Sequence, residues 1–342
     1  MIYFFVVKRM TILTNCFMIS EEQNSDHGGS VRYLVNKFII LFCVIMANAG
    51  NAEEIECANF GTVVFFKTNN SSNIQHCIST QSNDELGKIH PNGNNSPMNA
   101  VVENVSALIL TNLLSRYDTD ALQKIYQHKN FDELSIVHLA GIAENGPSLL
   151  VTLKNFGADF TMLKDRKDGY INRYDRGVSA LHHAINENAP FGNILALLAG
   201  GVDPNVFDKN GNQAINYAVS KQTNFDTLNL LLSYTRDIYK NDKGYNALHI
   251  AVQKIKSVDE LNLVLNLVDD DYLDDLTETG DTILHLAAVY SESPELFEIV
   301  LQNSSEFLCK ENSKGAKAID YARQNQNIAK SKQVLKLQNK CS

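Results

Sequence analysis

Nine histidines and one acidic run are the residues of this 342-residue chain that invite chemistry. His182 and His183 place two imidazoles side by side, and Asp269-Asp-Asp-Tyr-Leu-Asp-Asp275 offers hard oxygen ligands for calcium. The acidic run lacks the glycine and closing glutamate of a dedicated calcium loop, so it reads as a solvated loop tip. His138, His182, His249 and His285 recur at regular distances in one short pattern. They therefore hold equivalent places in successive structural units and do not converge on one ion. His183 lies just beyond such a place and reads as a packed or surface side chain. There is no glycine-rich phosphate loop, nucleophile elbow or His-Glu-x-x-His motif. Catalysis, a resident metal and a cofactor have no positive support in these residues.

The histidine pattern defines the elements. It recurs at Ser135-Ile-Val-His-Leu-Ala140, Ser179-Ala-Leu-His-His-Ala184, Gln213-Ala-Ile-Asn-Tyr-Ala218, Asn246-Ala-Leu-His-Ile-Ala251, Thr282-Ile-Leu-His-Leu-Ala287 and Lys317-Ala-Ile-Asp-Tyr-Ala322. Its fourth positions are 44, 34, 33, 36 and 35 residues apart. A first-position Ser, Thr or Asn can accept from an unpaired N–H of the first helical turn, so it starts a helix. The third-position Leu, Ile or Val faces the core, and the sixth-position Ala lets helices approach. Gly177, Gly211, Gly244, Gly280 and Gly315 each stand two residues earlier, where a tight turn is expected to use positive φ. Second helices follow as apolar runs, such as Ile194, Leu195, Leu197 and Leu198, or Leu228, Leu230, Leu231 and Leu232.

Motif and period together resemble ankyrin repeats. The resemblance implies an all-α solenoid of stacked helix-turn-helix units with finger loops, roughly six to eight units including caps. It also implies that each His bonds backbone of the adjacent turn, and that the stack works as a protein-binding surface. Gly157-Ala-Asp159 and Gly201-Val-Asp203 match the family's punctuation after the second helix. Proline, the family's usual second residue, is absent from all six motifs, and Gln213 and Lys317 are poor caps. Asn216 and Asp320 retain hydrogen-bonding capacity in place of His. A weaker seventh unit begins at Ser96-Pro-Met-Asn-Ala-Val101, and the stretch Ser106 to Gln127 after it is helical in period without dividing cleanly into two helices.

Charge and the N-terminal segment bound the setting. A net charge of −9 argues against a nucleic-acid partner, which requires a positive face. Arg32 and Lys37 precede the apolar run Phe38-Ile-Ile-Leu-Phe-Cys-Val-Ile-Met46, followed by small residues and then Glu53-Glu54. This is the order of a secretory signal peptide. The uncharged stretch of 15 residues is short of the roughly 20 that span a bilayer. Residues 1–52 are therefore expected to be leader and signal peptide, with Met18 a possible true start. An uncleaved anchor at residues 38–52 is the alternative. Residues 53–95 are expected to form an N-terminal capping unit, and residues 96–342 the repeat domain.

Outside the leader stand Cys57, Cys77, Cys309 and Cys341, an even number, as a disulfide-permissive compartment favours. Three pairings are formally open. Cys57-Ala-Asn-Phe60, Phe65-Phe66 and Ile74-Gln-His-Cys77 are similar to the first unit of exported bacterial ankyrin proteins, where two cysteines bracket a short helix pair. That resemblance implies a Cys57–Cys77 staple, although alternation over Thr62 to Lys67 also suits a strand. In a solenoid the ends lie far apart, which favours local pairing and so Cys309 with Cys341.

The 44-residue interval holds about ten residues beyond one repeat, centred on Lys164 to Arg176. This insertion has five basic and three acidic residues, with Tyr170 and Tyr174 interleaved; Tyr and Arg dominate binding energy at interfaces. Expected partner contacts are Tyr170, Arg173, Tyr174, Lys209 and Tyr239 on fingers, and Glu187, Lys221, Lys254 and Tyr290 at variable first-helix positions. The expected role is an exported, periplasmic or secreted, monomeric scaffold that binds another protein. A membrane-tethered scaffold and a host-directed bacterial effector are the alternatives.

Overall fold

The structure, a computed structural model, describes residue 57 and residues 59–164, 177–266, 272–304 and 307–341. The leader, the insertion around Tyr170 and the first three aspartates of the acidic run, 269–271, lie outside the described residues. Asn59 to Ser342 forms one compact unit.

The unit is built from helix pairs. First helices are α1 (Val63–Thr68), α4 (Ser96–Val102), α7 (Ile136–Ile142), α9 (Ala180–Asn186), α11 (Ala214–Lys221), α13 (Ala247–Lys254), α15 (Ile283–Tyr290) and α17 (Ala318–Ala322). Their partners are α2 (Ser71–Thr80), α5 (Ala107–Leu114), α8 (Gly146–Asn155), α10 (Phe191–Gly200), α12 (Phe225–Tyr234), α14 (Val258–Asn266), α16 (Pro294–Asn303) and α18 (Lys332–Cys341). Each first helix packs on the next first helix and each second on the next second, giving two parallel rows and, among the described residues, eight stacked units. Helices α3 (Asn83–Leu86) and α6 (Thr119–Gln127) are additions between units. Among the described residues one two-stranded sheet, β1 (Leu163–Lys164) with β2 (Val178–Ser179), is antiparallel and brackets the insertion. The chain is thus an all-α ankyrin-type solenoid, as the motif predicts.

The core follows the motif. Val137, Leu181, Ile215, Leu248, Leu284 and Ile319 are buried, as is the sixth-position alanine of every unit from Ala140 to Ala322. Ser179, Asn246 and Thr282 cap their helices by accepting from the N–H three residues on, at 3.0 to 3.4 Å. Ser135 does not; its hydroxyl pairs with His138 Nδ1 at 2.8 Å. The two second-helix glycines do terminate helices left-handed, Gly157 at φ +79° and Gly201 at φ +102°.

One expectation changes at the backbone, and one open alternative closes. Gly211, Gly244, Gly280 and Gly315 adopt positive φ, but Gly177 does not. At Gly177 a Cβ would meet Leu163 Cβ and the Lys164 carbonyl, each at 2.8 Å, so glycine is needed there for the close approach of β1. The strand alternative at Thr62 to Lys67 is also replaced: Thr62 caps α1 by accepting from Phe65 N–H at 3.1 Å, and Phe60, Phe65 and Phe66 cluster with centroids 5.0 to 5.9 Å apart. Ser106 to Gln127 resolves into α5, second helix of its unit, and α6, which packs on α7. Tyr126 fixes α6 by donating to the Phe156 carbonyl at 3.1 Å.

Candidate partner-binding surface

The fingers are rigid because their own side chains knit them. Asp208 accepts from the N–H groups of Asn210 and Asn212, both at 2.8 Å, while Asp208 N–H donates to the Asn212 carbonyl. Asn241 repeats this with Lys243 and Tyr245, and Asn312 with Lys314 and Ala316. These are Asx turns closed by the glycine that follows. Neighbouring fingers are joined by Asp242 N–H to the Asn210 carbonyl at 2.9 Å and Ser313 N–H to the Thr279 carbonyl at 3.0 Å.

The histidines tie each helix to the next finger. His138, His182, His249 and His285 bond through Nε2 to the carbonyls of Val178, Asn212, Asp275 and Ala316, at 3.0 to 3.2 Å. Burial pushes His138, His182 and His249 down to about 4, so they are neutral at physiological pH. Each serves a different finger, and among the described residues no cluster of His, Cys, Asp or Glu suits a metal ion. His183, half-buried, lies against His138 with ring centroids 6.1 Å apart.

Asn216 and Asp320 keep only part of this role. Each accepts from the backbone N–H of its own first position, Gln213 at 3.3 Å and Lys317 at 2.9 Å. Among the described residues neither bonds a following finger, and Asn216 Nδ2 is buried without an acceptor. Gln213 supplies the missing link: its Nε2 donates to the Asp237 carbonyl at 2.9 Å and its Oε1 accepts from Tyr239 N–H at 3.0 Å. The residue that looked like a poor cap carries the helix-to-finger tie that histidine makes in the neighbouring units.

A groove of about 420 Å³ opens between the first-helix row and the fingers of the fourth to sixth units. Asn186, Asn216, Tyr217, Ser220, Lys221, Ile250, Gln253 and Lys254 line it from α9, α11 and α13; Asn212, Asn241, Lys243 and Tyr245 line it from the fingers. Its floor is ordered. Asn241 Nδ2 donates to Asn212 Oδ1 at 2.8 Å, Asn212 Nδ2 to Asp208 at 3.2 Å, and the Tyr217 hydroxyl to Asp208 at 2.8 Å. Burial alone would raise the Asp208 carboxyl, but these donors and the two turn N–H groups together hold it below its ordinary value.

Of the expected contacts, Lys221 and Lys254 line this groove. Glu187, Lys221, Lys254 and Tyr290 are exposed at the C-terminal ends of four successive first helices. Lys209 is exposed on the Asp208 turn, and Tyr239 is 41% exposed, its ring 5.5 Å from Phe207. Tyr170, Arg173 and Tyr174 lie outside the described residues. Sequence reasoning missed Tyr217, Tyr245 and Gln253; Tyr217 holds the variable fifth position of the motif, and that position was the available signal.

The four cysteines among the described residues are all bonded. Cys309, in the loop after α16, is joined to Cys341 at the end of α18 with Cα atoms 5.2 Å apart. Cys57 and Cys77 are each in a disulfide, and no cysteine is free among the described residues. No helix of the described residues is long and apolar enough to cross a membrane.

Residues 181–272 match the family model described as ankyrin repeats, in three copies. The crystal structure of the ankyrin repeat domain of Bcl-3, described as a unique member of the IkappaB protein family, is similar at 21% identity with a TM-score of 0.55. That match covers 72% of this chain and 99% of the other. A chain in the structure of the Bd0816 predatory endopeptidase from Bdellovibrio bacteriovorus in complex with immunity protein Bd3460 is similar at 19% identity over 58% of this chain and 96% of its own, with a TM-score of 0.47. No curated protein matches the chain. The chain therefore carries ankyrin repeats, matched in sequence at residues 181–272 and built on the ankyrin-repeat fold.

Proposed function

We propose that this chain is an exported scaffold that binds another protein through its first-helix row and fingers. The groove over the fourth to sixth units carries the reading. Its rim side chains Lys221, Lys243, Lys254, Ser220 and Gln253 are spent neither on the core nor on ties between repeats. Surfaces of ordered polar and aromatic side chains on a rigid frame are what protein partners dock against. Tyr170, Arg173 and Tyr174 extend the surface if the insertion folds toward the groove. The reading includes no cofactor, metal or nucleic acid, and a monomeric chain.

Export is supported by the signal-like order of Arg32 to Glu54 and by the bonded cysteines. A Cys57–Cys77 bond would staple the first helix pair as Cys309–Cys341 staples the last. The apolar run Phe38 to Met46 also favours a second reading, a scaffold tethered by an uncleaved segment at residues 38–52. Delivery to a host cell is a further form of export consistent with the same features.

Affinity capture from the native compartment tests the reading, using the tagged chain, a Lys221→Glu/Lys254→Glu variant and an outer-row variant, Val151→Ser/Leu195→Ser. A specific partner held by the parent and the outer-row variant but lost by the groove variant is the expected result. Equal capture by all three would remove the groove as the binding surface. N-terminal mass spectrometry of the same material separates the two export readings: a start near Gly50 or Glu53 means release, and retention of Phe38 to Met46 means tethering.

A further inference from the structure

The groove has a charge sign opposite to that of the chain. Acids outnumber bases 39 to 30 overall, yet the groove is lined by three lysines and no aspartate or glutamate. Lys221, Lys243 and Lys254 form none of the ion pairs found among the described residues, which use Lys88, Lys129, Lys240, Lys256, Arg323 and Lys336. Lys221 and Lys254 hold the same position in α11 and α13, which pack side by side. Two like charges in register with no lining acid are a cost to the free protein that an anionic ligand relieves.

A second observation points the same way. Asn216, in the groove wall, is 2% exposed, and its Nδ2 has no acceptor. Acids near the groove are already engaged. Asp208 takes four hydrogen bonds, Glu187 accepts from Asn186 at 2.9 Å, and Asp281 accepts from Thr279 and Asn312, both at 2.6 Å. Tyr245 sets its ring edge on His249, and its hydroxyl, protonated at neutral pH, is raised further by burial and then by Tyr290, Asp281 and Glu278. The groove lining therefore offers cations and donors, and contains no carboxylate.

We propose that the groove takes an acidic segment of a partner protein, its carboxylates paired with Lys221, Lys243 and Lys254 and an oxygen facing Asn216 Nδ2. This rests on the interaction-scaffold reading and names the chemistry of the partner. A polyphosphate backbone fits less well, because three lysines make only a short basic stretch and a nucleic acid needs a continuous positive track.

The test is fluorescence anisotropy of the full chain with a short labelled peptide of alternating Glu and Gly, beside a Lys/Gly peptide and an oligothymidylate. Expected is binding of the Glu/Gly peptide that weakens with salt and falls at least about tenfold in Lys221→Glu/Lys254→Glu. Lys67→Glu/Lys332→Glu, which changes net charge equally at exposed sites on α1 and α18, should bind as the parent does. Three results overturn the proposal: no binding of the acidic peptide, equal loss in both charge variants, or preference for the basic peptide or oligonucleotide. The scaffold reading is judged separately by partner capture. If the groove variant loses the cellular partner while the acidic peptide fails to bind, only the acidic assignment falls. If capture survives in the groove variant, the binding site itself is misplaced.

Discussion

Gln213 and Tyr239 are joined across a repeat boundary: the Gln213 side-chain oxygen accepts the Tyr239 backbone N–H at 3.0 Å. The bond matters because the fourth position of this unit is Asn216, which cannot do what His does in its neighbours. A stack whose units contact only their neighbours is as strong as each boundary. At one boundary here a glutamine makes the helix-to-finger bonds that histidine makes elsewhere.

The first prediction concerns that tie. Gln213 is fully buried, so Gln213→Ala removes both of its bonds to the following finger and should cost about 1 to 3 kcal/mol. Asn216→His restores the residue type used by four other units and should recover part of the loss in the double variant. Urea unfolding measures both. An unchanged midpoint for Gln213→Ala would show that the tie is idle.

Stability should also fall with acid, in a definite window. His138, His182 and His249 have folded values of about 4 against an ordinary 6.5, so the unfolded chain binds protons first. Their contribution is complete above about pH 6.5 and is lost as pH falls toward 4, at about 1.4 kcal/mol per unit for each. Asp208, held low in the fold, acts with the same sign below its unfolded value near 4. Melting followed by circular dichroism should show a steep decline from pH 7 to pH 5. A flat profile would mean that these imidazoles are not buried as neutral groups.

Much of the stack was legible because its determinants are local. Leu248, Ala251 and His249 each have one job, set by position in a short motif, so the motif places them without tertiary information. The groove was less legible. Lys221 and Lys254 could be singled out as variable positions, but the joining of Asn212, Asn241 and Tyr217 over Asp208 depends on finger geometry spanning 29 residues between Asn212 and Asn241. Gly177 was misread because a turn glycine and a glycine needed for close strand approach look alike in one sequence.

The C-terminal staple should act locally. Cys309 and Cys341 are 32 residues apart and join α18 to the preceding unit. Loop-closure entropy gives such a bond about 2 to 4 kcal/mol. Cys341→Ser should therefore speed hydrogen exchange in α17 and α18 while leaving α9 and α11 nearly unchanged. Equal acceleration along the whole chain would mean that the stack melts as one unit from that end.

Packing and recognition should separate in one pair of variants. Leu248 is fully buried at the third position of its motif, and Leu248→Ala removes side-chain volume between α13 and its neighbours. The cost should be about 2 to 5 kcal/mol, read as a lower urea midpoint. Tyr170→Ala with Tyr174→Ala, in the insertion, should leave melting nearly unchanged and weaken partner capture by at least about tenfold, the scale on which aromatic truncations at interface centres act. Capture measured below the melting range of Leu248→Ala keeps the two effects apart: that variant should still bind when folded. If the double Tyr variant captures the partner as well as the parent does, the insertion is an idle surface loop, and recognition rests on the groove that Lys221 and Lys254 line.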